Sequence, residues 1–212
     1  MPLPPRTAIA ALLVATGLAA GCSHVPLSSV PALSRIDLKT TRFADLRAGV
    51  SLPEEIRPLP GGVTMTVTVQ PRQGGRHERS YALEQVSDPA ELAALPSVTR
   101  PGRRFTVFRL SATDAANLTA FREERMLNPD GSGNPGSLAL NARKICRTGD
   151  LGGRPIPMST YLKTSETRDY VTLTSDIDLR EAIKESGGAP DLASLIPACD
   201  APAALSGSRA AP

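Results

Sequence analysis

Asp176 and Asp178 are separated by one residue, Ile177. On a strand, alternate side chains point to the same side, so two carboxylates so spaced suit acid–base work or metal binding. The same Asp178 directly precedes Leu179-Arg180-Glu181-Ala182-Ile183, the setting of a helix N-cap, and that is the reading favoured. A nucleophilic Ser or Cys needs a base within hydrogen-bond reach, and the chain offers only His24 and His77. There is no Gly-x-Ser-x-Gly turn, so a Ser–His–Asp hydrolase would have to use His77, which reads better as a polar turn residue. No catalytic residue is assigned.

Arginine is the most abundant charged chemistry: 20 of the 24 basic residues are Arg. Arg72, Arg76 and Arg79 lie near one predicted hairpin, and Arg100, Arg103 and Arg104 at the next turn. If those turns share one end of a sheet, their guanidinium groups would hold lipid phosphates or acidic glycans. A solvated polar edge is the default reading, and anion binding by Arg72, Arg76, Arg79, Arg103 and Arg104 the alternative. Asn128, Asp130 and Ser132 alternate, with Gly133 sixth, like the first half of a calcium loop. The twelfth position, however, is Ala139 instead of a bidentate Glu. A Gly/Asn/Pro connection between a helix and a strand accounts for the composition, and no metal or other cofactor is expected.

The balance of the chain excludes several classes. It has 212 residues, net charge +3, 21% charged residues and 41% hydrophobic ones. That is enough apolar material for one modest core and too nearly balanced in sign for a dedicated nucleic-acid binder. Three Cys and two His leave few soft ligands for zinc or iron–sulfur chemistry.

The elements that must position these groups follow from periodicity. Residues 63–70 alternate Val/Met with Thr/Gln and predict a half-buried antiparallel strand. Residues 79–86 return as its hairpin partner. Further strands are expected at 103–110, 137–146, 158–163 and 169–174. Asp88-Pro89-Ala90-Glu91 opens a short helix that Pro96 should stop, and Ser111 or Thr113 caps a longer one over 114–127. A short helix near 178–185 should end at Gly187-Gly188, and another turn should precede Pro197. About six strands and three or four short helices predict an α+β domain with a mainly antiparallel sheet. A β-sandwich is the alternative.

Residues 1–21 carry one cation, Arg6, followed by an apolar or small stretch over 8–21. Crossing ~30 Å of hydrocarbon takes about 20 apolar residues, so this stretch reads as an export signal. Its end, Leu18-Ala19-Ala20-Gly21-Cys22, resembles the lipobox of bacterial lipoproteins, with Leu18 one place earlier than the family's usual Leu. The resemblance implies that Cys22 is lipidated and becomes the first mature residue. Ser23, where the enterobacterial pathway uses Asp for inner-membrane retention, implies an outer-membrane lipoprotein facing the periplasm. The alternative is cleavage around Ala19-Ala20-Gly21, releasing a soluble periplasmic protein.

Cysteine parity bears on the same reading. If lipid takes Cys22, Cys146 and Cys199 are left to pair, closing a loop of 53 residues worth ~4 kcal/mol in the chain-entropy model. The alternative is two buried free thiols. Residues 1–21 are thus expected as signal peptide, 22–35 as a flexible tether, 36–200 as one globular domain and 201–212 as a disordered tail. The expected function is a lipid-anchored envelope protein, a non-catalytic binding or structural accessory. Its partners would be the membrane, through the lipid, and another envelope protein, an anionic lipid or a glycan; nucleic acid is not expected. A periplasmic hydrolase lacking a recognised motif and a solute-binding module are the alternatives.

Overall fold

The computed structural model describes residues 26–93, 100–128, 132–185 and 192–201. In chain order the strands are β1 (Arg47–Pro53), β2 (Ile56–Pro58), β3 (Val63–Val69), β4 (His77–Ala82) and β5 (Glu84–Gln85). They continue as β6 (Arg103–Arg109), β7 (Gly136–Ala142), β8 (Ile145–Arg147), β9 (Pro157–Lys163) and β10 (Val171–Asp178). The helices are α1 (Val30–Leu33), α2 (Pro89–Ala93), α3 (Ala112–Arg125), α4 (Leu179–Glu185) and α5 (Leu192–Leu195), with 3₁₀ turns at Leu27–Ser29 and Phe43–Asp45.

All paired strands are antiparallel. The main sheet runs β10-β9-β1-β6-β5, a second runs β4-β3-β7, and β2 pairs with β8. The protein is therefore an α+β domain built on antiparallel sheet, as the periodicity predicts. Val63, Met65, Val67 and Val69 on β3 are fully buried, the row their alternation with threonine marks. They share one core with Ala48, Val50 and Leu52 of β1 and with Ala115, Leu118 and Phe121 of α3.

Ten strands form among the described residues instead of about six, for local reasons. The return strand over 79–86 divides at Leu83, whose N–H still bonds to Val63 O. Beyond it β5 leaves the second sheet and pairs with β6. The strand over 137–146 divides because Arg143 N–H turns back to the carbonyl of Gly62, while Leu59 N–H takes the carbonyl of Lys144. A Cβ on Gly62 would lie 2.1 Å from that Lys144 oxygen, so only glycine permits the corner.

β1, the centre of the main sheet, and β2 have no counterpart in the sequence reading. Along Arg47–Pro53 five consecutive residues are buried, but the inward row Ala48, Val50 and Leu52 holds a single β-branched residue and alternates with Gly49 and Ser51 before Pro53, so the strand signal is weak. Its outer face carries Gly49, over which Phe105 lies: a Cβ there would sit 2.4 Å from the Phe105 ring. Phe105 packs edge-on to Tyr161 at 5.2 Å and to Tyr170 at 5.3 Å, roofing that face of the sheet.

Within the stretch read as a tether, residues 27–33 wind into the 3₁₀ turn and α1, and Ser29 is buried. Pro31 inside the first turn of α1 presets its φ for helix. The expected signal peptide, Cys22, the Pro96 and Gly187-Gly188 stops and residues 202–212 lie outside the described residues.

A candidate ligand-binding groove

The cap reading of Ser111 places the longest helix. Its Oγ accepts from Asp114 N–H at 3.0 Å and donates to the Asp114 carboxylate at 2.9 Å, closing the first turn of α3. Ala115, Leu118 and Phe121 then face the core. Ala112, Ala116 and Thr119, spaced i, i+4, i+7, form a neighbouring face that lines a groove of about 730 Å³.

The opposite wall is the turn Phe43–Asp45. It is fixed by Phe43, buried in the core, and by Thr41, whose hydroxyl donates to Asp37 O at 2.9 Å. Arg122 of α3 joins the two walls. Its Nη1 donates to Thr41 O at 2.9 Å and its guanidinium stacks over Phe43 at 5.2 Å.

The strand register brings two more arginines to the groove. Arg47 of β1 lies directly opposite Arg109 of β6, and Arg109 opposite Glu84 of β5. Like charges facing across strands repel. Here Glu91 of α2 pairs with Arg47 and Glu84 stands 3.9 Å from Arg109. Arg47 also donates to the carbonyls of Ala44 and Leu46, both at 2.9 Å. Arg42 at the rim pairs with Asp45 at 2.7 Å.

Arg122 differs from these three: no carboxylate among the described residues lies within ion-pair distance of it, and its Nε is buried without an acceptor. The groove thus has a polar rim whose charges are paired, one guanidinium that has no ion pair, and exposed alanines at Ala44, Ala112 and Ala116. Nearby, burial pushes the Tyr170 phenol up to about 12, with the Glu91 charge acting in the same direction.

A second polar cluster lies at the end of the main sheet. A bulge in β10 sets Asp176 at φ +52°, a left-handed conformation that Asp tolerates better than most residues. Its carboxylate receives Arg100 at 2.8 Å and also Arg103, and its N–H donates to Ser159 Oγ at 3.0 Å. The Arg100 hydrogen bond, seconded by Arg103 against a desolvation cost, holds its pKa at about 2. Asp178 is engaged differently. Its Oδ1 accepts from Ile156 N–H at 2.9 Å and Arg180 N–H at 3.0 Å at the start of α4, as an N-cap does. The two carboxylates are thus committed to separate structural tasks.

The arginines singled out in the sequence separate. Arg72, Arg76 and Arg79 belong to the β3–β4 hairpin of the three-stranded sheet, Arg103 and Arg104 to β6 of the main sheet. Arg72 and Arg104 are exposed. Arg76 pairs with Glu78, Arg79 stacks over Phe121 at 5.7 Å, and Arg103 closes on Asp176 with Arg100. His77 stands opposite Val69 in β4. In the loop read against a calcium site, Asn128 donates to Ser132 and Asn134 donates to Asn128 and to Arg125 O, while residues 129–131 lie outside the described ones. Among the described residues no group of three or more His, Cys, Asp or Glu is placed to hold a metal.

Cys146 and Cys199 form a disulfide, with Cα atoms 4.9 Å apart. It fastens the chain end beside β8, where Arg147 N–H bonds to Pro197 O and Cys199 N–H to Arg147 O, both at 2.9 Å. No described helix is long and apolar enough to cross a membrane.

The groove arginines Arg42, Arg47, Arg109 and Arg122 were not singled out in the sequence. Only Ser111 and the small residues following it at helical spacing hint at this site. The chain matches no protein family, no curated protein and no solved structure.

Proposed function

We propose that this protein is a lipid-anchored cell-envelope protein of the outer membrane, facing the periplasm, whose folded domain binds a ligand or partner and does no chemistry on it. The observation that carries this reading is the Cys146–Cys199 disulfide. It leaves Cys22 as the unpaired third cysteine, directly behind an apolar stretch, and disulfides persist in oxidising compartments. The first described residues add support. Leu27 is 88% exposed and Val30 50%, on a turn beside β10 that begins five residues after Cys22. Two exposed apolar side chains so near an acylated residue would face the bilayer surface.

Intact-mass spectrometry of membrane-extracted protein, with and without reductant, tests the reading. A mature chain beginning at Cys22, carrying acyl groups and lighter by two hydrogens before reduction, is expected. An unacylated chain cut near Gly21 would replace it with a soluble periplasmic protein.

A further inference from the structure

We infer that the groove between α3 and the Phe43–Asp45 turn binds a monoanionic amphiphile, its charged group against Arg122 and its apolar body along Ala112, Ala116 and Ala44. The inference rests on the binding half of the function proposed above and does not require the anchor.

The charge follows from the ion pairs. Four guanidinium groups line the groove, and Asp45, Glu91 and Glu84 take up Arg42, Arg47 and Arg109 in turn. Arg122 is left without an ion pair and with incomplete hydrogen bonding, Nη1 being bound to Thr41 O and Nε having no acceptor, while the neighbouring Glu166 carboxylate is engaged by the Thr164, Ser165 and Thr41 side chains. Stacked on Phe43 and partly withdrawn from water, this cation is screened less than a surface arginine, so an anion beside it is held more firmly. A dianion would bring a second charge that the groove leaves unmatched.

The body follows from size and lining. At about 730 Å³ the groove far exceeds the room needed by a bare inorganic ion and falls within the ~300–1,000 Å³ of small-molecule sites. Its α3 wall exposes the small side chains of Ala112 and Ala116, with Arg122 at one end, so the strip beside that cation is left open. An acyl or similar chain laid there removes apolar surface from water at both partners.

The charged group fits either a carboxylate, as in a fatty acid, or a phosphodiester, as in a phospholipid, and the test separates the two. The full-length Cys22→Ser protein, which carries no acyl group of its own, is titrated calorimetrically. The probes are octanoate, dihexanoyl phosphatidylglycerol, neutral octyl glucoside, acetate and dimethyl phosphate. At least one of the first two should bind tenfold or more tightly than octyl glucoside and than the small anion sharing its headgroup, and the tighter of them identifies the source. Arg122→Ala should weaken that binding at least tenfold. Ala116→Phe, which fills the groove from an exposed wall position and leaves the core untouched, should abolish it. Equal affinity for octyl glucoside, equal affinity for the small anion, or parent-like binding by Ala116→Phe would each overturn the inference. An unacylated Cys22 would overturn the anchor alone and leave these titrations as they are.

Discussion

Arg103 reaches across the main sheet to Asp176. From the first residue of β6 its Nη2 donates to Ser51 O in β1 at 3.2 Å and to Pro157 O in β9, and its Nη1 closes on the Asp176 carboxylate in β10. One side chain thus ties four adjacent strands at the end where the sheet would otherwise fray. The Arg103 side chain is 9% exposed, so it depends on that carboxylate for its counter-charge.

Asp176→Asn keeps the shape and the left-handed backbone preference and removes the charge. A loss of about 2 kcal/mol is expected, less than for a fully buried pair because Asp176 is 42% exposed. The wild-type pH dependence has a fixed sign. The folded-state pKa of about 2 lies below the ordinary 3.8, so the stabilisation is complete above about pH 4 and is lost as pH falls toward 2. Discounted for screening, that share is about 1 kcal/mol. Urea denaturation from pH 7 to pH 2 checks both: the wild type should lose this increment over the acid range, and Asp176→Asn should lack it.

Gly49 is the position where β1 tolerates no side chain. Placing a Cβ 2.4 Å from the Phe105 ring and 3.2 Å from Tyr161 Cβ forces the aromatic roof outward. Gly49→Ala should cost about 1–3 kcal/mol through overpacking, against the gain of a few tenths expected where alanine fits. Chemical denaturation of that variant gives the answer. A Gly49→Ala, Phe105→Leu double variant should recover part of the loss, since the shorter side chain vacates the clash.

The Cys146–Cys199 bridge closes a loop of 53 residues. Replacing both cysteines by alanine should lower stability by about 4 kcal/mol in the chain-entropy model. The loss should begin locally. Hydrogen exchange should accelerate first at the amides of Arg147 and Cys199, which carry the backbone bonds between β8 and the chain end, and leave β3 protected.

β3 and α3 are legible in the sequence because their burial is one-sided or their ends are locally capped. β3 shows its inward row because threonine occupies every outward position, and α3 shows its start because Ser111 and Asp114 close a local ring of hydrogen bonds. Asp178 reads as a cap for the same local reason. β1 escapes because Gly49, Ser51 and Pro53 weaken its strand signal, and the groove escapes with it. The opposition of Arg47 and Arg109, and with Glu84 beyond them, exists only once β1, β6 and β5 are in register.

The α+β class, the β3 row, the caps at Ser111 and Asp178, and the cysteine pairing expected from parity are written in local chemistry. These depend on residues a few positions apart, or on counting. Which of the four groove arginines find a carboxylate is settled by the fold. Arg103, near a turn in the sequence, is consumed by Asp176, whereas Arg122, unremarkable on its helix, is left with Thr41 O and the Phe43 ring. The reason is physical: a charge's fate depends on what lies within a few ångströms of it, and those neighbours come from strands and turns far away in the chain.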